Sequence, residues 1–174
     1  MASLDGRIRA DVMIATMSKA LGSYGGFVVT SKEIGDLLVN RARSFIYSTA
    51  PAPACIGAAL AALDILSETS SGDPGAELIS RAAEFRRKLI AGGIDTSPSC
   101  SQIVPVRVGD NELALKLAER LIADGIWAVA VRPPTVPAGS ARLRLAVTLA
   151  HSSEDLAHTA RAVIGQCRQL GVIS

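Results

Sequence analysis

Aromatic residues are rare in this chain, 3% of the total with a single Trp, so any core must be packed from Ala, Val, Ile and Leu. Cysteine is scarce as well: Cys55, Cys100 and Cys167 stand far apart, with no Cys-x-x-Cys pair. An odd, scattered set of thiols argues against a disulfide framework or a zinc site and for a reducing compartment. A cytoplasmic location and no metal are therefore expected. Charge of one sign is also missing. With 18 Lys and Arg against 16 Asp and Glu the net charge is +2, and no basic run is interleaved with aromatics, so nucleic acid is not an expected partner. Nor is a membrane: the apolar run Pro51 to Leu63 closes at Asp64, too short to span a bilayer and too rich in Ala and Gly. Met1 to Arg7 lack the apolar stretch of a signal peptide.

What is present is a chain of 174 residues, 49% hydrophobic and 20% charged. That suits a globular protein with one core, or one domain plus part of another. Asp11 to Ala15 is a short apolar run that predicts a buried strand, and Gly25 to Thr30 predicts a second strand opened by glycines. Ser31 is placed to cap a helix from Lys32 to about Arg43. Phe45 to Thr49 is expected to be an extended connection, followed by a long buried Ala-rich helix to about Ser67. Ser70 to Gly75 is the clearest break, giving an expected division into residues 1–71 and 72–174.

Beyond the break, amphipathic helices alternate with single strands. Glu77 to Ala91 has helical spacing at Leu78, Ala82, Phe85 and Leu89, and Gly92-Gly93 stops it. Ile103 to Val108 alternates as a strand. Asn111 is the expected N-cap of a helix running to Asp124, with Gly125 just past its end. Ile126–Val131 and Ala141–Thr148 are further predicted strands, and Ser152 with Asp155 forms a capping-box pattern before a helix to about Leu170. The fold class is α/β. The second part is long enough to be a domain, whereas the first leaves apolar surface that other chain should cover.

Two residues stand out for chemistry. Lys19 follows an apolar strand, lies among Met17, Ala20 and Leu21, and is trailed by Gly22, Gly25 and Gly26. A lysine in apolar surroundings loses solvation of its charged form, which makes a nucleophilic amine available. The hydroxyls of Thr16 and Ser18 suit a phosphate, and glycines let the backbone approach a ligand. The spacing alone is better served by a lysine snorkelling from a strand end. Arg132 ends an apolar strand and enters a Pro-Pro-Thr turn, where a planar fork of donors suits a carboxylate. An exposed arginine at a strand end fits the same pattern. His151 and His158 are expected to be a boundary residue and a solvated one.

Several segments, in order, resemble the α-oxoamine synthases, fold-type-I pyridoxal-phosphate enzymes that join an amino acid to an acyl thioester with loss of carbon dioxide. Thr16-Met17-Ser18-Lys19-Ala20-Leu21-Gly22 with Gly25-Gly26 resembles their Schiff-base lysine segment, and Gly6 to Asp11 the approach to it. Phe45-Ile46-Tyr47-Ser48-Thr49 resembles the segment whose hydroxyls reach the cofactor phosphate across a dimer interface. Arg132-Pro133-Pro134-Thr135-Val136-Pro137-Ala138-Gly139, followed by Ala141 to Leu145 and Ala150-His151, is the most specific match. It points to the branch that makes 8-amino-7-oxononanoate for biotin synthesis.

The resemblance implies the end of a large-domain sheet carrying the lysine, then a small C-terminal α/β domain. It implies pyridoxal 5'-phosphate as cofactor, with Lys19 catalytic and cofactor-binding, and Thr16, Ser18, Ser48 and Thr49 as further cofactor contacts. Arg132 would bind the carboxylate of L-alanine, with Thr135 nearby, and pimeloyl thioester on coenzyme A or acyl carrier protein would be the second substrate. A homodimer is implied for the full-length form. The family's ring-stacking histidine and its aspartate partner to the pyridine nitrogen lie upstream of the lysine, and eighteen residues precede Lys19 here. The chain is therefore expected to be a piece of the enzyme, inactive alone. A sister synthase using glycine or another acyl donor, or a non-catalytic α/β association domain, are the alternatives.

Overall fold

A computed structural model describes residues 10–68 and 73–174, in two compact units, Met1–Ser71 and Gly72–Ser174. Ser70, Ser71 and Gly72 of the expected break, and Gly6 to Arg9 of the lysine approach, lie outside the described residues.

In the first unit, strands β1 (Val12–Thr16) and β2 (Gly26–Thr30) pair antiparallel, with Val12 opposite Thr30 and Thr16 opposite Gly26. Helix α1 (Lys32–Arg41) opens on Ser31, whose Oγ accepts from the Ile34 N–H at 3.4 Å. It ends before Arg43 because Ala42 leaves helical backbone angles. Residues Phe45 and Ile46 are not extended. Their N–H groups both donate to the Ala42 carbonyl at 3.0 Å, closing the short helix α2 (Arg43–Ile46). The Arg43 guanidinium then lies 5.1 Å over the Tyr47 ring. Helix α3 (Pro53–Glu68) is the Ala-rich run, opened by Pro53, whose missing N–H costs nothing there.

The burial expected for β1 and α3 is not found. Ile14 is 78% exposed, and Ala59 is the one buried residue of α3. A two-stranded sheet has no second layer to press on these side chains, so the apolar runs form their elements without becoming a core.

The second unit does have a core. Helix α4 (Pro74–Ala91) starts three residues before Glu77, because Asp73 caps it through the Gly75 N–H at 2.8 Å and Pro74 takes the first helical position. Strand β3 (Ile103–Gly109) leads to helix α5 (Asn111–Ala123), whose N-cap is Asp110 rather than Asn111: Asp110 Oδ1 accepts from the Leu113 N–H at 2.9 Å. Strand β4 is confined to Val129–Val131. Ile126 is lost to it because its N–H donates to Leu121 O at 2.7 Å, finishing α5 instead of joining a ladder. Strand β5 (Ala141–Ala146) stops short of Thr148, whose N–H donates to His151 Nδ1 at 3.2 Å.

The sheet order is β3-β5-β4, antiparallel throughout. Helix α6 (Ser153–Gln169) begins with both arms of the Ser152–Asp155 capping box in place. Those hydrogen bonds, first from the Ser152 hydroxyl and then from its N–H, hold the Asp155 carboxyl below its ordinary value. One sheet face (Val104, Val106, Leu143) meets Phe85 and Leu89 of α4, Leu117 and Leu121 of α5, and Val163 of α6 in a single cluster. No described helix is long and apolar enough to cross a membrane.

Two outcomes follow from this core. Leu117 is fully buried in the cluster, so Leu117→Ala is expected to destabilise the second unit by about 2–5 kcal/mol, measured by urea denaturation. The three cysteines are free, with Cys100 exposed and Cys167 buried, and burial pushes the Cys167 thiol up to about 11. A thiol reagent at neutral pH should modify Cys100 rapidly and Cys167 only on unfolding, as peptide mapping would reveal.

Candidate active site

The hairpin register decides where Lys19 stands. With Thr16 opposite Gly26, Met17 to Gly25 must form the whole connection between the strands. Met17 turns inward, 5% exposed, and its N–H donates to Gly25 O at 2.9 Å. A Cβ at Gly25 would come within 3.0 Å of Met17 Cε, and Gly25 has φ +109°, so no other residue suits that position. The Ser23 N–H donates to Met17 O at 2.9 Å, and the Gly22 N–H to Lys19 O at 3.0 Å.

At the head of this loop Thr16 Oγ1, on the last residue of β1, and Ser18 Oγ lie 2.8 Å apart, and the Ser18 N–H donates to Thr16 Oγ1 at 3.2 Å. Both residues are exposed, as is Lys19. The apolar enclosure expected around the lysine is absent in this chain, because Ala20 beside it also points to solvent and Leu21 is only half-buried. Ser48 and Thr49 follow α2 in the same unit. Both are exposed, and Ser48 Oγ donates to Phe45 O at 3.4 Å.

The second unit holds the other pair. Arg132 leaves β4 directly and is exposed, and the Thr135 N–H donates to Arg132 O at 3.0 Å, closing a turn in which Pro133–Pro134 is a cis peptide. Among the described residues no acceptor meets the Arg132 guanidinium, whereas neighbouring Arg142 spends its Nε on Ser140 O at 3.0 Å. Thr16, Ser18 and Lys19 are thus gathered at the head of one loop, and Arg132 with Thr135 on one turn. A cavity of about 690 Å³ in the second unit, between Phe85, Trp127, Arg144, His151 and Leu156, is lined by none of these residues.

The model of the aminotransferase class I and II family matches residues 2–163. The chain belongs to this family. Over 163 residues it is 41% identical to the 8-amino-7-oxononanoate synthase of Geobacter sulfurreducens, covering 94% of this chain and 42% of that protein. It spans less than half the length of such relatives. A serine palmitoyltransferase from S. paucimobilis, solved with bound pyridoxal phosphate and myriocin, superposes with a TM-score of 0.84 at 26% identity, over 94% of this chain and 41% of that one. An 8-amino-7-oxononanoate synthase from Francisella tularensis shares the fold with a TM-score of 0.77 at 24% identity, over 91% of this chain and 46% of that one. The fold is that of the fold-type-I enzymes of this family, whose cofactor is pyridoxal phosphate.

The loop fits that cofactor chemically. Lys19 offers an amine to an aldehyde, and the exposed hydroxyls of Thr16 and Ser18, now bonded to each other at 2.8 Å, can turn to a phosphate instead. A Cβ at Gly22 would meet nothing within 4 Å, so the loop is open at that position.

Proposed function

We propose that this chain carries part of the site of a pyridoxal-phosphate acyltransferase that condenses L-alanine with a pimeloyl thioester, on coenzyme A or acyl carrier protein. The product is 8-amino-7-oxononanoate, in biotin synthesis. The observation that carries the proposal is the 41% identity across 94% of the chain to a synthase of that name, with Lys19 standing on a loop closed by glycines and flanked by two hydroxyls. On this reading the first unit is the end of the cofactor-binding large domain and the second is the small C-terminal domain. The three free thiols fit a reducing, cytoplasmic setting.

Bound pyridoxal phosphate supplies an electron sink for a carbanion at the amino-acid α-carbon. Lys19 would hold the cofactor through Nζ and would accept the amino-acid α-proton at that same atom. Thr16 and Ser18 donate to the phosphate, and Ser48 and Thr49 donate to it across the interface of a homodimer. In the second unit Arg132 takes the alanine carboxylate in a two-pronged pair, its guanidinium meeting no acceptor among the described residues, and Thr135 contacts the substrate nearby. The remaining walls belong to the part of the fold that these 174 residues do not match, since they span 42% of the relative's length.

The test is product formation from L-alanine and pimeloyl thioester, with the chain alone and with a separately expressed N-terminal half of a relative. The chain alone is expected to show no appreciable turnover, and the mixture to show it. Turnover by the lone chain at about 1 per second or more would overturn the fragment reading, and a mixture that binds cofactor without forming product would overturn the substrate assignment.

In a complete enzyme, Arg132→Lys keeps the charge but loses the fork. A loss on the order of 1.5–3 kcal/mol in L-alanine binding is expected, read by spectral titration, with cofactor affinity unchanged. Equal L-alanine affinity in the variant would remove Arg132 from the substrate site.

A further inference from the structure

We propose that Ser23 is a positioning residue for Lys19, tying the lysine loop to the start of helix α3; this rests on the cofactor role given to Lys19 above. Lys19 is exposed, so side-chain packing does not hold it in place. Its loop is also built to bend, because Gly22 and Gly25 have φ of +56° and +109° and a Cβ at Gly22 would touch nothing. What steadies such a loop is hydrogen bonding.

Ser23 makes bonds in two directions. Its N–H donates to Met17 O at 2.9 Å, closing the loop on the buried anchor. Its hydroxyl, half-buried, donates to Cys55 O at 2.6 Å, thirty-two residues along the chain and in the first turn of α3. Cys55 is itself fixed by its N–H on Ala52 O at 2.9 Å. The hydroxyl therefore couples a glycine-hinged loop to a sixteen-residue helix, and Lys19 inherits the position of that helix. An alanine at 23 keeps the backbone bond and loses the coupling, which separates positioning from loop closure.

The chain contains its own controls, since its lysines are Lys19, Lys32, Lys88 and Lys116. The experiment adds pyridoxal phosphate to the chain, reduces the adducts with borohydride and quantifies each lysine by peptide mass. The parent should label Lys19 in preference to the other three. Ser23→Ala should slow labelling at Lys19 by about 5- to 30-fold, the effect of losing one such hydrogen bond, with Lys32, Lys88 and Lys116 unchanged. Ser23→Thr keeps a hydroxyl and should restore it. Equal labelling of Lys19 in Ser23→Ala and the parent overturns the proposal. Even labelling of all four lysines in the parent would instead count against selection of Lys19 by this chain alone. Amide exchange at Ser23 then decides the tether: faster exchange in Ser23→Ala sustains it, and unchanged exchange overturns it.

Discussion

Thr16 sits opposite Gly26 in the β1–β2 ladder, and that single pairing governs the candidate site. It makes the connection from Met17 to Gly25 short enough that one buried side chain, Met17, and a few backbone bonds define its path. A slip of one residue would turn the side chains of the slipped strand to the other face and change the length of the connection that carries Lys19. The hydroxyl pair, the glycine hinges and the placement of Lys19 all follow from this register.

The two units illustrate different ways in which apolar sequence is used. In the second, a three-stranded antiparallel sheet lays one face on α4, α5 and α6, and large side chains such as Phe85, Leu89 and Leu143 are removed from water. That burial is the main driving term for folding. In the first unit similar residues, Ile14, Leu60 and Ile65 among them, remain largely exposed. The curated relatives that the chain matches are more than twice as long.

Much of the local structure was legible from residue order. The Ser31 cap, the Ser152–Asp155 box and the Ala82–Phe85–Leu89 stripe are all where their patterns put them, because caps and helical periodicity act within a few residues. The ordered segments around Lys19 and Arg132 singled those residues out as candidates, and the structure puts each on an exposed connection after a strand. Ser23 was not singled out, because its partner Cys55 lies in a different element.

The sequence by itself marked most of the helices and strands, because caps and periodicity act between neighbours in the chain, and it singled out Lys19 and Arg132 as candidates for chemistry. Competition for the same backbone groups was settled only in three dimensions. Ile126 gives its N–H to Leu121 and leaves β4 short, Ala42 captures two N–H groups and turns an expected extension into α2, and Asp110 rather than Asn111 accepts at the head of α5. Burial likewise belonged to tertiary structure. Val12 to Thr16 and Val104 to Val108 have comparable apolar character, but only the second has helices packed against it, and a side chain leaves water only when another surface arrives to cover it.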